Sequence, residues 1–316
     1  MKNFLLAFFI CLQLSGSLHE ALHEFARDES VFLIEPLAKG DSNTNYLVTQ
    51  CHQKYFVKVG NESNEIFGVS MKQEWICSQF AALHGIAPKT VFYSPHNRVM
   101  ITEYIETNGN IDFKDPNFPS LLCETLRKLH ALQSSDFSPF NPFTCIDDYL
   151  NKSLEKGVNI PDVMKERLIP FVHEIELLFG SFMQSVPCHL DLNKGNMLLE
   201  GSKLWLIDWE YGGLSDPFLD LSFFIVSRDL DEEGMTELLR IYLDKIPTQE
   251  EITKLYAMCF LAEVRESLWS FLQSRVSNQE GHCVRGYRLL DKAIHRLEKL
   301  NELFIVLEFA KSHSIR

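Results

Sequence analysis

"CHLDLNKGNMLL" (188–199) and "LWLIDWEYGG" (204–213) hold four polar groups beside two strand-forming runs. They are His189, Asp191, Asn196 and Asp208. "MLL" and "KLWLI" read as a β-hairpin turning through "EGSK", and that hairpin would return Asp208 beside Asn196. An asparagine carbonyl and an aspartate carboxylate form a hard, oxygen-only pair, which suits Mg²⁺ better than a soft metal. A second aspartate, Asp191, is then left to orient a hydroxyl or take its proton. Each of these residues alone would read as a turn cap. The four together at this spacing point to a site.

Working outward, the spacing His189-x-Asp191-x₄-Asn196 with Asp208 twelve residues later is a phosphoryl-transfer arrangement. In it one Asp handles the nucleophile, while the Asn and the later Asp hold metal on the phosphates. The same kinase-pattern reading predicts a lysine on the third strand of a preceding lobe. "YFVKVG" (55–60) supplies Lys58, and Glu74 in "MKQEW", sixteen residues on and near the middle of a helix over about 65–84, would hold it. The strand end "TEYIE" predicts an adenine-facing hinge at Glu103, Tyr104 and Ile105. Gly40 precedes "DSNTN", a turn without a GxGxxG loop, in which Ser42, Asn43 and Thr44 would contact phosphate.

The rest of the chain fits a two-lobed α+β plan. Residues 31–107 alternate short β-rich runs with turns around one helix and read as an N-terminal nucleotide-binding lobe. Residues 108–316 begin with the linker "NGNIDFKDPNFP" and form a mainly helical C-terminal lobe carrying the catalytic and metal loops. Its predicted helices span 120–132, 145–156, 162–184, 232–245, 249–274 and 279–312. Residues 1–30 read as an N-terminal extension or signal-like segment: one lysine, an apolar run from Phe4 to Leu14, then Ser15 and Ser17. That run is too short for a stable membrane span.

A net charge of −13 argues against a nucleic-acid partner and is compatible with a cationic substrate. The eight cysteines are scattered with no CxxC pair, so a zinc site is unsupported and reduced core thiols of a cytoplasmic protein are expected.

"GDSNTNYLV", "YFVKVG", "HGIAP", "HLDLNKGNML" and "LIDWEYGGLSDPFLDLSFF" together resemble the choline/ethanolamine kinase and aminoglycoside phosphotransferase superfamily, over about residues 31–300. "IDWEY…DP…DL" is similar to its bacterial choline-kinase-like branch. The resemblance implies a protein-kinase-like fold and an ATP- and Mg²⁺-dependent kinase acting on the hydroxyl of a small, cationic alcohol. It implies Asp191 as catalytic base, Asn196 and Asp208 as metal ligands, and Lys58 paired with Glu74 on the phosphates. Asp220 would brace the catalytic loop, and Glu210 or Asp216 would support it or face an amine.

On the substrate side, Glu263, Glu266 and Trp269 share one helical face, a plausible seat for an ammonium group through charge and cation–π attraction. The branch has two tryptophans one turn apart here. This chain has Glu266 at the earlier position, leaving Tyr211 or Tyr287 to complete the cage. Thiamine and aminoglycosides are alternative substrates. Beyond this class stand a non-catalytic nucleotide-binding pseudokinase and, from the signal-like start, an exported metal-dependent hydrolase.

Overall fold

The computed structural model describes residues 16–26, 32–37, 43–107 and 109–313. It is α+β and divides into two compact units. Among the described residues, the first comprises those up to Ile111 together with Met197–Tyr211, and the second comprises Asp112–Asn196 and those from Gly212 onward. The sequence reading kept 197–211 with the helical lobe. The structure ties that hairpin to the first unit through a bond from the Leu206 amide to the Ile86 carbonyl (2.9 Å).

The first unit is built on an antiparallel sheet of β1 (Leu33–Pro36), β2 (Asn43–Gln50), β3 (Gln53–Gly60), β4 (Thr90–Ser94) and β5 (Val99–Glu103). Its order is β1-β2-β3-β5-β4. Side chains alternate across a strand. Tyr55 and Val57 of β3 therefore enter a core with Ile34, Val48, Val99 and Ile101, while Lys58 points to the opposite face. Asn43–Asn45, read from sequence as a turn, belong to β2 and pair with Gly60, Val59 and Lys58. The ladder's hydrogen bonds outweigh the turn preference of "NTN".

The core is closed by α1 (Gly16–Ala26), whose Leu18, Ala21 and Leu22 are buried against the sheet. Phe25 packs edge-on to Tyr55, and Ser94 donates to Glu24 (2.9 Å). Residues 16–26 are thus part of the first unit's core, where the sequence reading had an extension or signal-like segment; its apolar run, Phe4 to Leu14, lies outside the described residues.

The helix expected over 65–84 is two pieces, a 3₁₀ segment Glu62–Phe67 and α2 (Met71–Leu83). Gly68 separates them at φ +72°, and Ser70 caps α2 by accepting from the Gln73 amide. Glu74 consequently sits in the first turn of α2, and not mid-helix.

The second unit holds α3 (Phe118–His130), α4 (Pro142–Glu155), α5 (Ile169–Phe179), α6 (Pro217–Arg228), α7 (Glu232–Leu243), α8 (Gln249–Ser277) and α9 (Glu280–His313). The helix read over 162–184 is a π turn, Met164–Leu168, running into α5, with Pro170 at the start of α5. Helix α6 was missed from sequence. Every residue from Pro217 to Val226 is buried, so the segment carries no 3.6-residue alternation to read. Among the described residues no helix is long and apolar enough to cross a membrane.

Candidate active site

In the first unit, β3 and α2 bring Lys58 and Glu74 into a buried ion pair, and Lys58 also pairs with Asp208. Asp208 follows the hairpin β7 (Met197–Glu200) and β8 (Lys203–Leu206), which turns through Gly201 at φ +59° as the "EGSK" reading requires. Trp209, buried, anchors the segment by donating to the Leu206 carbonyl (2.9 Å). Asp208 itself lies in the left-handed region at φ +65°.

Burial opposes the charge on Lys58, but Asp208, Glu74 and Glu210 together outweigh it and hold the ammonium well above an ordinary lysine. Burial pushes the Glu74 carboxyl up and Lys58 pulls it down; Asp208 adds to the upward push. Glu210 accepts from the Asn43 amide (3.2 Å), whose oxygen in turn accepts from Asn64 (2.8 Å). Ligand oxygens of Glu74, Asp208 and Glu210 lie within 4.8 Å of one another. That is a hard-oxygen donor set, and it fits Mg²⁺.

Of the other nucleotide-side residues, Ser42 lies outside the described residues, and Thr44 is a strand residue opposite Val59. At the expected hinge, the Glu103 amide already donates to the Lys89 carbonyl (2.8 Å) and the Tyr104 amide to Lys54 (3.2 Å). Those two N–H groups are committed to the fold, which narrows any adenine contact there to other groups, Ile105 included. Sequence reasoning missed Asn45. It is the cross-strand partner of Lys58, and its buried Oδ1 has no hydrogen-bond partner.

In the second unit, the loop after β6 (Val186–Cys188) fixes Asp191. Its carboxylate accepts from Asn196 (2.7 Å) and from Asn193 (3.1 and 3.2 Å). Asn196 also donates to the Asp191 carbonyl (2.9 Å). With its amide nitrogen so used, Asn196 has its oxygen to offer a cation.

Leu190 adopts φ +63°, costly for a branched side chain. Asp220 of α6, fully buried, offsets that cost by accepting from the Leu190 amide (2.7 Å) and the His189 amide (2.9 Å). His130 of α3 bonds Asp220 through Nε2 (3.0 Å) and Tyr242 of α7 through Nδ1 (2.8 Å). His130 was not singled out from sequence; only the fold brings α3, α6 and α7 together. Asp216 caps α6 and pairs with Lys254 (2.6 Å), a structural role.

The expected amine seat is engaged by the chain itself. Glu263 is buried and clamped by Arg296 in two bonds of 2.8 Å. Glu266 accepts from Arg265 (2.6 Å) and Arg285 (2.5 Å), and the Arg285 guanidinium lies 5.3 Å from the centre of the Trp269 ring. Tyr287 is 46% exposed and packs edge-on to Phe271, so it does not complete a cage on Trp269.

Residues 33–256 match the model of a phosphotransferase enzyme family. The chain belongs to that family. Protein LicA of Haemophilus influenzae is 27% identical over 278 residues, covering 83% of this chain and 79% of LicA. Among solved structures, the choline kinase LicA from Streptococcus pneumoniae superposes with a TM-score of 0.75 at 21% identity, covering 89% of this chain and 99% of that one. An ADP-bound aminoglycoside phosphotransferase superposes at 0.60, with 20% identity over 88% of this chain and 97% of that one. The kinase-like α+β fold expected from the sequence is therefore the one present.

Proposed function

We propose that this protein transfers the γ-phosphate of ATP to the hydroxyl of a small alcohol of the choline or ethanolamine type. The observation that carries the reading is the buried Lys58 held between Glu74 and Asp208. Taking such charges out of water is costly, and a chain needing only a stable core does better with apolar residues there. Perturbed, charge-coupled groups of this kind mark functional sites. The relatives named choline kinase or LicA support the choice of alcohol. The aminoglycoside neighbour, with its lower TM-score, makes aminoglycosides the second substrate class.

In this reading Asp191 positions the acceptor hydroxyl and takes its proton, its carboxylate already oriented by Asn193 and Asn196. Lys58 presents a fixed positive charge to the phosphates, kept ionised by its two carboxylates. Asp208 and Asn196 would hold Mg²⁺, which when bound neutralises phosphate charge.

The test is a coupled ADP-release assay of the full chain with Mg·ATP against choline, ethanolamine, thiamine and kanamycin. Turnover on choline or ethanolamine is expected. Nucleotide binding with no turnover on any alcohol would move the protein to a binding role, and no nucleotide binding would sink the reading.

A further inference from the structure

The two arginines on Glu266 are unlike. Arg265 is 2% exposed, sits with its guanidinium 5.0 Å from the Phe223 ring centre and 5.9 Å from that of Tyr149, and neutralises Glu266 from within the core. Arg285 reaches the same carboxylate from α9 with its side chain 38% exposed. Each oxygen of the Glu266 carboxylate thus accepts from one arginine, while Glu263 is clamped separately by Arg296. Arg285 is thus the more exposed of two cations on that carboxylate, and its ion pair is open to solvent screening.

What Arg285 occupies has the composition of a cation seat. One wall is the indole of Trp269, which is 7% exposed; another is Glu266, 8% exposed. A guanidinium carbon 5.3 Å from the ring centre is within cation–π range. The exposure of Arg285 means that the seat opens to water once that side chain leaves.

We propose that Arg285 is a tethered cation filling a seat for a small ammonium group formed by Glu266 and Trp269, and that it sets the affinity of this chain for cationic alcohols. A free ammonium must displace the guanidinium before it can bind. This inference rests on the small-alcohol reading above and names the residue that tunes its substrate range.

The experiment compares full-length wild type, Arg285→Ala and Arg285→Ala/Trp269→Leu. Calorimetric titration with tetramethylammonium reads the seat without catalysis, and choline kinetics read it with catalysis. Arg285→Ala is expected to bind tetramethylammonium about tenfold tighter than wild type, with the gain lost in the double variant. Its KM for choline falls by a similar factor, while kcat and the KM for ATP stay unchanged. Arg285→Met, which keeps the apolar stem, serves if the alanine variant does not fold. A folded variant that binds tetramethylammonium no more tightly than wild type overturns the proposal. Tighter binding with no alcohol turned over by any form upholds the seat and sinks the alcohol-kinase reading. Turnover that is indifferent to position 285 does the reverse.

Discussion

In the first unit, Lys58 and Glu74 are held by opposite charge in a place water barely reaches, and the half-buried Asp208 pairs with the same ammonium. In the second, Asp191 is held by the amides of Asn193 and Asn196, on a backbone that Asp220 pins at two successive N–H groups. Both contain a non-glycine residue in the left-handed region, Asp208 in one and Leu190 in the other. The first arrangement depends on charge balance: removing one member leaves an uncompensated ion. The second depends on shape: its members are replaceable so long as an acceptor stays where the loop needs it. Under the proposed function, charge placed for binding phosphate and geometry placed for handling a proton would thus rest on different physics.

The largest expected effect separates chemistry from framework. Asp191→Asn keeps an acceptor for the neighbouring amides but cannot take a proton, so turnover should fall by about 10²–10⁴ with the melting temperature little changed. Near-normal turnover would remove Asp191 from its role. Next, Lys58→Met leaves Glu74 and Asp208 facing each other and should cost about 3–5 kcal/mol in urea unfolding. Adding Glu74→Leu should restore a good part of that; a double variant as unstable as the sum of the singles would show that packing, and not charge, holds the first unit.

Asp220→Ala orphans the Leu190 amide and releases His189 and His130. A loss of about 2–3 kcal/mol with reduced kcat is expected, and Asp220→Asn, which keeps an acceptor, should lose less. If the Asn variant is as impaired as the Ala variant, charge matters in the second unit too.

The last effect, negligible at neutral pH, is alkaline. Burial pushes the Cys259 thiol up to about 12, from an ordinary value of 9.0. Its folded-state pKa is raised, so the unfolded chain releases the proton first as pH rises. The contribution is complete below pH 9 and is lost between 9 and about 12. Cys259→Ala should therefore flatten the fall in stability above pH 9 by about 1.4 kcal/mol per pH unit. An unchanged slope would place that thiol in contact with water.

What could be read in advance was local. The hairpin through Gly201 and the loop from His189 to Asn196 follow from turn chemistry, short spacings and strand pattern, and the Lys58–Glu74 pairing from the kinase pattern those residues spell. What escaped was set by distant parts of the chain. Helix α6 is buried on all sides and shows no period. Asn43–Asn45 look like a turn until β3 pairs with them. Glu263 and Glu266 share a helical face as expected, yet their partners, Arg296 and Arg285, sit on α9, and no spacing within α8 announces them. The helical lobe's buried charges are legible only once the helices are packed.

Helix α1 carries a consequence in time. Leu18, Ala21 and Leu22 complete a core whose other members include Val99 and Ile101. During synthesis at roughly 5–20 residues per second, the strand that receives α1 follows it by about 4–16 seconds. Ile34, Val48, Tyr55 and Val57 of β1, β2 and β3 become available to that apolar helix face earlier, and Val99 and Ile101 of β5 come last. The core around α1 is therefore complete only after β5 has been made.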